Sequence, residues 1–108
     1  MINWPIPGVP TEYALTQQDI KEAYEETQKD RTEYCQRCVI AHVLNKAHNL
    51  EGLNTAHVYH GISYLTERGR TVFEALHTSD ITIIIYNFDQ REKIPDQKFT
   101  LVWEKKSV

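Results

Sequence analysis

Cys35, Cys38 and His42 fall at i, i+3 and i+7, so one face of a helix can present all three, with Lys46 beside them. Two thiolates and an imidazole at that spacing suit zinc, with a fourth ligand from elsewhere in the fold. The same Cys35-x-x-Cys38 pair also reads as a redox motif. Both readings lack a part. Structural zinc sites usually draw on two separated ligand pairs, and the chain has no second pair. A cysteine in mid-helix is also denied the helix N-terminus that activates redox thiols. His57 and His60 are three apart in a strand-like stretch and point to opposite faces, so only one of them can join a site. The favoured reading is therefore structural, with Cys38 packed as a small apolar residue and His42 hydrogen-bonded. No metal and no cofactor is expected, and the Cys35–Cys38–His42 face stands as the alternative, that of a metal- or redox-linked regulatory protein.

The second chemical feature is charge. Six carboxylates, Asp19, Glu22, Glu25, Glu26, Asp30 and Glu33, stand among three cations between residues 19 and 33. All of the net charge of -3 lies in the first 54 residues, because the second half carries seven charges of each sign. Such a run is either a solvated helix face that keeps the chain soluble or a surface for a basic protein partner. Glu22, Glu25, Glu26, Asp30 and Glu33, with Trp4 as an anchor on the N-terminal segment, are the expected partner-binding residues. Direct nucleic-acid binding is the converse. Arg68, Arg70, Arg91, Lys93, Lys98, Lys105 and Lys106 lie in the second half, where Tyr59, Tyr64 and Trp103 offer stacking faces. The equal number of acids there argues against it. No P-loop, GxGxxG, GxSxG or HExxH occurs, and the four glycines are scattered, so no enzyme is expected.

The elements that must position these residues follow from periodicity. At 108 residues, 41% apolar and 25% charged, the chain has the composition of one globular domain. No apolar run approaches the ~18 residues of a membrane span. The N-terminus lacks the basic start of a signal peptide, and two cysteines three apart cannot staple a secreted scaffold. A cytoplasmic setting is expected. Residues 1–14 read as an extended apolar arm, because Pro5, Pro7 and Pro10 exclude helix and central strand. A helix is expected from Thr16, with Asp19 completing a capping box and Leu15 stapling against Ile20. Val39, Ile40, Val43, Leu44 and Ala47 then form the apolar face of a main core helix ending near residues 48–52. Either one continuous helix runs from 16 to 49 or a break near residues 27–30 divides it, and two helices are the favoured reading. Residues 55–66 alternate as a strand, ERGR turns, and 71–76 returns. In 98–104, Phe99, Leu101 and Trp103 point inward. Residues 79–89 are ambiguous: four isoleucines and a threonine favour strand, whereas Ile81, Ile84, Ile85 and Phe88 at i, i+3, i+4, i+7 favour helix.

Cys38-Val39-Ile40-Ala41-x-x-Leu44-x-x-Ala47, two short strands, Phe88-Asp89, Pro95 and Phe99-x-Leu101 together resemble a diffuse group of small proteins from phages, mobile elements and environmental bacteria. The resemblance covers residues 35–101 and implies that 79–89 is a helix before a final strand. It implies no functional residues. Where that group tends to have proline this chain has Val39, which leaves the helix free to extend back through Tyr34. The expectation is an α+β domain over residues 15–108, with a three-stranded, mainly antiparallel sheet covered by helices on one face. An exposed sheet face and edge favour a homodimer. The expected function is a non-enzymatic protein-binding module, such as a phage-type inhibitor of a host protein acting through the acidic helix.

Overall fold

Alternation and turn chemistry set out the strands, and the computed structural model describes residues 1–29 and 38–106. The fold is α+β. Its elements are β1 (Pro10–Leu15), α1 (Gln17–Lys29), α2 (Val39–His48), β2 (Ala56–Tyr59), β3 (Ile62–Glu67), β4 (Arg70–Leu76), α3 (Ser79–Asp89), β5 (Gln97–Val102) and β6 (Glu104–Lys105). Among the described residues no helix is long and apolar enough to cross a membrane.

The expected three strands are six, in two antiparallel sheets of order β2-β3-β4-β6 and β1-β5. Three local causes explain the difference. First, residues 55–66 are a hairpin, in which Tyr59 pairs with Ile62 across His60–Gly61. Gly61 sits at φ 78°, a backbone state that L side chains rarely adopt. The alternation of TAHVYHGISYLT runs through this corner and conceals it. Second, the extended arm ends in a paired strand. Tyr13 and Leu15 are buried while Glu12 and Ala14 are exposed, so residues 10–15 form β1 against β5. Pro10 is tolerated as the first residue of an edge strand. Third, the final strand breaks at the fully buried Trp103, and the chain passes from β1's partner to β4's partner across that one residue. The second corner is as expected: Arg68 and Gly69 both have positive φ (52° and 81°), as a two-residue type I′ turn requires.

The first nine residues lie over the core. Trp4 stacks on Phe73 with ring centroids 5.8 Å apart. The backbone N–H of Asn3 donates to His48 O at 2.9 Å, and that of Gly8 to Trp103 O at 2.8 Å.

The first two helices, α1 and α2, are separate elements, as the favoured reading has it, with residues 30–37 between them outside the described residues. The capping box of α1 forms as read: Thr16 N and Oγ1 donate to Asp19 Oδ2 at 3.0 and 2.9 Å, and Asp19 N donates to Thr16 Oγ1 at 3.3 Å. Leu15 and Ile20 are both buried beside it. α2 begins at Val39. Cys38 is extended (φ -80°, ψ 166°) and is the N-cap, its Sγ accepting the Ala41 N–H at 3.4 Å. Cysteine is not a favoured cap, and a good cap contributes about 0.5–2 kcal/mol. Burial of Val39, Ile40, Val43 and Leu44, at about 1.5–3 kcal/mol each, dominates the stability of this helix. Ala47, expected on the core face, is exposed, whereas Ala41 and His48 are buried. α3 confirms the helical reading of 79–89, with Ile81, Ile84 and Phe88 buried.

Candidate functional site

Two groups of polar side chains stand out, one at each side of α2. The first lies between α1 and α2. Asp19, Glu22 and Glu26 share one face of α1 by their spacing of three and four. His42, one turn into α2, meets that face. Its Nδ1 is 3.0 Å from Glu26 Oε1, and its Nε2 is 3.2 Å from Glu22 Oε1 and 3.7 Å from Asp19 Oδ1. Lys46, the next turn of α2, reaches Asp19 Oδ1 at 3.1 Å. The side chains of Asp19 and His42 are 5% and 11% exposed, those of Glu22 and Glu26 38% and 36%. Burial pushes the Asp19 carboxyl up, but hydrogen bonds from Thr16 N and Oγ1 and the Lys46 ammonium outweigh it and hold the group below the usual carboxylate range. Among the described residues, Asp19, Glu22 and His42 bring one potential metal-ligating atom each within 4.8 Å of the others.

The second group lines a pocket of about 370 Å³ between the β2–β3 corner and α3. Val58 and Ile85 form apolar wall, with the rings of Tyr59 and Tyr86 and the polar groups of Cys38, His60, His77 and Asp89 around them. Ser63 Oγ and His77 Nε2 are 2.6 Å apart, while His77 Nδ1 is buried without a hydrogen-bond partner among the described residues. Burial lowers the His77 pKa and raises that of Asp89, the latter partly opposed by His60. Ser63 is completely buried, so the Ser63–His77 pair presents no hydroxyl to a substrate.

These placements redistribute the residues singled out by type. Cys38 and His42 do not share a site: Cys38 caps α2 and borders the pocket, whereas His42 turns to α1. Cys38 is at the helix N-terminus and not in mid-helix, as the continuous reading supposed. Cys35, Asp30 and Glu33 lie outside the described residues. Of the expected partner-binding residues, Glu25 is fully solvent-facing, Glu22 and Glu26 are half-buried against His42, and Trp4 is half-buried on Phe73. Trp103 is no stacking face, because it is sealed in the core. His60 borders the pocket while His57 stacks with Tyr59.

Sequence reasoning missed a buried chain of hydrogen bonds at the other end of α2. Trp103 Nε1–H donates to Tyr13 Oη at 2.7 Å, and Tyr13 Oη lies 2.6 Å from His48 Nε2. His48 Nδ1 faces Asn3 O. One assignment satisfies every group: Tyr13 donates to Nε2, and Nδ1–H donates to Asn3 O. Burial raises the Tyr13 pKa to about 12, opposed by the Trp103 bond, and lowers that of His48, opposed by the Asn3 carbonyl. His48 in the last turn of a helix and Tyr13 in a proline-flanked segment gave no signal of their meeting, since the contact spans 35 residues. No family model, no curated protein and no solved structure matches the chain.

Proposed function

We propose that this protein is a small binding module that accepts an apolar side chain of a protein partner in the pocket between the β2–β3 corner and α3. The observation that carries this reading is the pocket and its surround. About 370 Å³ of mostly apolar space opens beside Tyr59 and Tyr86, large side chains that are 50% and 63% exposed. Exposed apolar side chains gathered around a concavity mark interaction sites more often than scattered ones do. The volume is near the bottom of the ~300–1,000 Å³ range of small-molecule sites, which suits one large side chain better than a nucleotide-sized cofactor. The acidic helix is the weaker surface, because Asp19, Glu22 and Glu26 are spent on Thr16, Lys46 and His42.

Selection of a random-peptide library against the folded protein tests the reading. Enriched peptides should share an aromatic or leucine anchor and shift the amide resonances of Val58, Gly61, Ile85 and Tyr86. Thr82→Trp, which fills the pocket from an exposed helix position, should weaken them at least tenfold, and Glu25→Lys should leave them unchanged. Peptides that map to α1 and lose affinity in Glu25→Lys would restore the acidic surface as the recognition site. Absence of enrichment would reject the pocket.

A further inference from the structure

We infer that Asp19, Glu22 and His42 form a binding site for a zinc-like divalent cation that bridges α1 and α2. The site is independent of the pocket. Three features beyond the presence of acids point to a cation. The first is spacing. Around a tetrahedral ion with bonds of about 2.0–2.1 Å, ligand atoms lie about 3.3 Å apart. His42 Nε2 already lies 3.2 Å from Glu22 Oε1 and 3.7 Å from Asp19 Oδ1, and all three ligand atoms lie within 4.8 Å of one another, so the cluster must contract to close on an ion but not rearrange.

The second is orientation from outside the cluster. Glu26 Oε1 faces His42 Nδ1 at 3.0 Å, the arrangement in which a carboxylate holds a metal-binding imidazole and directs its other nitrogen at the ion. With the Nδ1 proton given to Glu26, the Nε2 lone pair points at two carboxylate oxygens. An imidazole nitrogen and two carboxylate oxygens turned on one another make a donor set that a divalent cation can occupy. On the other side, Thr16 occupies Asp19 Oδ2 and leaves Oδ1 turned to His42. The third is enclosure. Asp19 and His42 are nearly buried while Glu22 remains partly exposed, which leaves an entry path and room for water as fourth ligand. Lys46 Nζ lies 3.1 Å from Asp19 Oδ1 and must give way when an ion binds; its side chain is 63% exposed, so solvent can take the ammonium. An imidazole with two carboxylates favours zinc or cobalt(II) over magnesium or calcium, which prefer oxygen donors alone.

Calorimetric titration of the full chain with zinc chloride, and the visible spectrum with cobalt(II), test the site. The background is Cys35→Ser/Cys38→Ser, which removes both thiols and places a favoured cap at residue 38. One ion per chain should bind. His42→Gln and Glu22→Gln, checked for wild-type circular dichroism, should each weaken binding at least tenfold, and the cobalt spectrum should be tetrahedral without thiolate charge-transfer bands. Loss of binding on removal of the thiols, or binding unchanged in His42→Gln, would assign the metal elsewhere and overturn the inference. So would the lack of saturable binding at about 100 μM zinc.

Discussion

Tyr13→Phe removes one oxygen and leaves two buried groups without partners. Trp103, fully buried, loses the acceptor for its Nε1–H, and His48 loses the donor to Nε2. The ring of Tyr13 stacks on Phe99 at 5.3 Å and keeps that contact as phenylalanine, so the change makes almost no cavity. An unsatisfied buried donor or acceptor costs about 1–3 kcal/mol, which puts the loss for the two at about 2–6 kcal/mol. Against a total stability of about 5–15 kcal/mol this is a large fraction. At roughly 4 °C per kcal/mol for a domain near this size, the Tm should fall by about 8–24 °C. Urea unfolding followed by tryptophan fluorescence and by circular dichroism gives the free-energy difference directly, with m unchanged if the folded state is otherwise intact. Trp103→Phe should couple to it: the double variant has no orphaned indole N–H, so its loss should fall short of the summed singles by about 1 kcal/mol or more. A Tyr13→Phe protein within about 0.5 kcal/mol of wild type would refute the claim that the hydroxyl satisfies both neighbours.

Burial lowers the pKa of His48 and of His77, so the unfolded chain takes up protons near pH 6.5 that the folded chain refuses. Stability should be complete above that pH and decline as the pH falls below it; urea series between pH 7.5 and 5 should show the decline, shallower in His77→Asn, and a flat series would contradict the burial of both rings. Thr16→Ala removes the capping box of α1 and should cost about 1 kcal/mol in the same assay, with no loss meaning that Asp19 does not need Thr16. Asn45 Oδ1 accepts the Ala56 N–H at 2.8 Å and thereby pins the start of β2 to α2. Asn45→Ala should cost about 1–3 kcal/mol and hasten hydrogen exchange at Ala56 ahead of the rest of β2; unchanged exchange there would remove that role.

The sequence revealed what repeats locally. Ile81, Ile84 and Phe88 reported α3 against the β-propensity of four isoleucines, because burial of one helical stripe outweighs propensity differences of a few tenths of a kcal/mol per residue. Thr16 and Asp19 reported the start of α1, since a capping box lies within four residues. What did not show was any choice that depends on a distant partner. Pro10 excluded only a central strand, and nothing local showed that β5 would pair with it as an edge. Gly61 looked like one polar step in an alternating run, when it is the corner of a hairpin. The break at Trp103 has no local mark, because both halves alternate correctly and only the change of pairing partner divides them.

The site residues were misplaced for a related reason. A helical wheel assigns each side chain to a face but not to a neighbour. Cys38 and His42 share a face on paper, yet the extended backbone of Cys38 takes it out of the helix. His42 then answers to the nearest element, α1, whose carboxylates had been read as a surface because their charge is conspicuous and the matching histidine lies 16 and 20 residues away. α2 distributes its polar groups the same way along its whole length. Cys38 borders the pocket at one end, His42 and Lys46 engage α1 in the middle, and His48 holds Asn3 and Tyr13 at the other end. Ten residues at 1.5 Å rise span about 15 Å, short enough for one rigid helix to set the position of all three. The apolar stripe of α2 therefore fixes the helix in the core, and its few polar residues decide which parts of the chain are held against it.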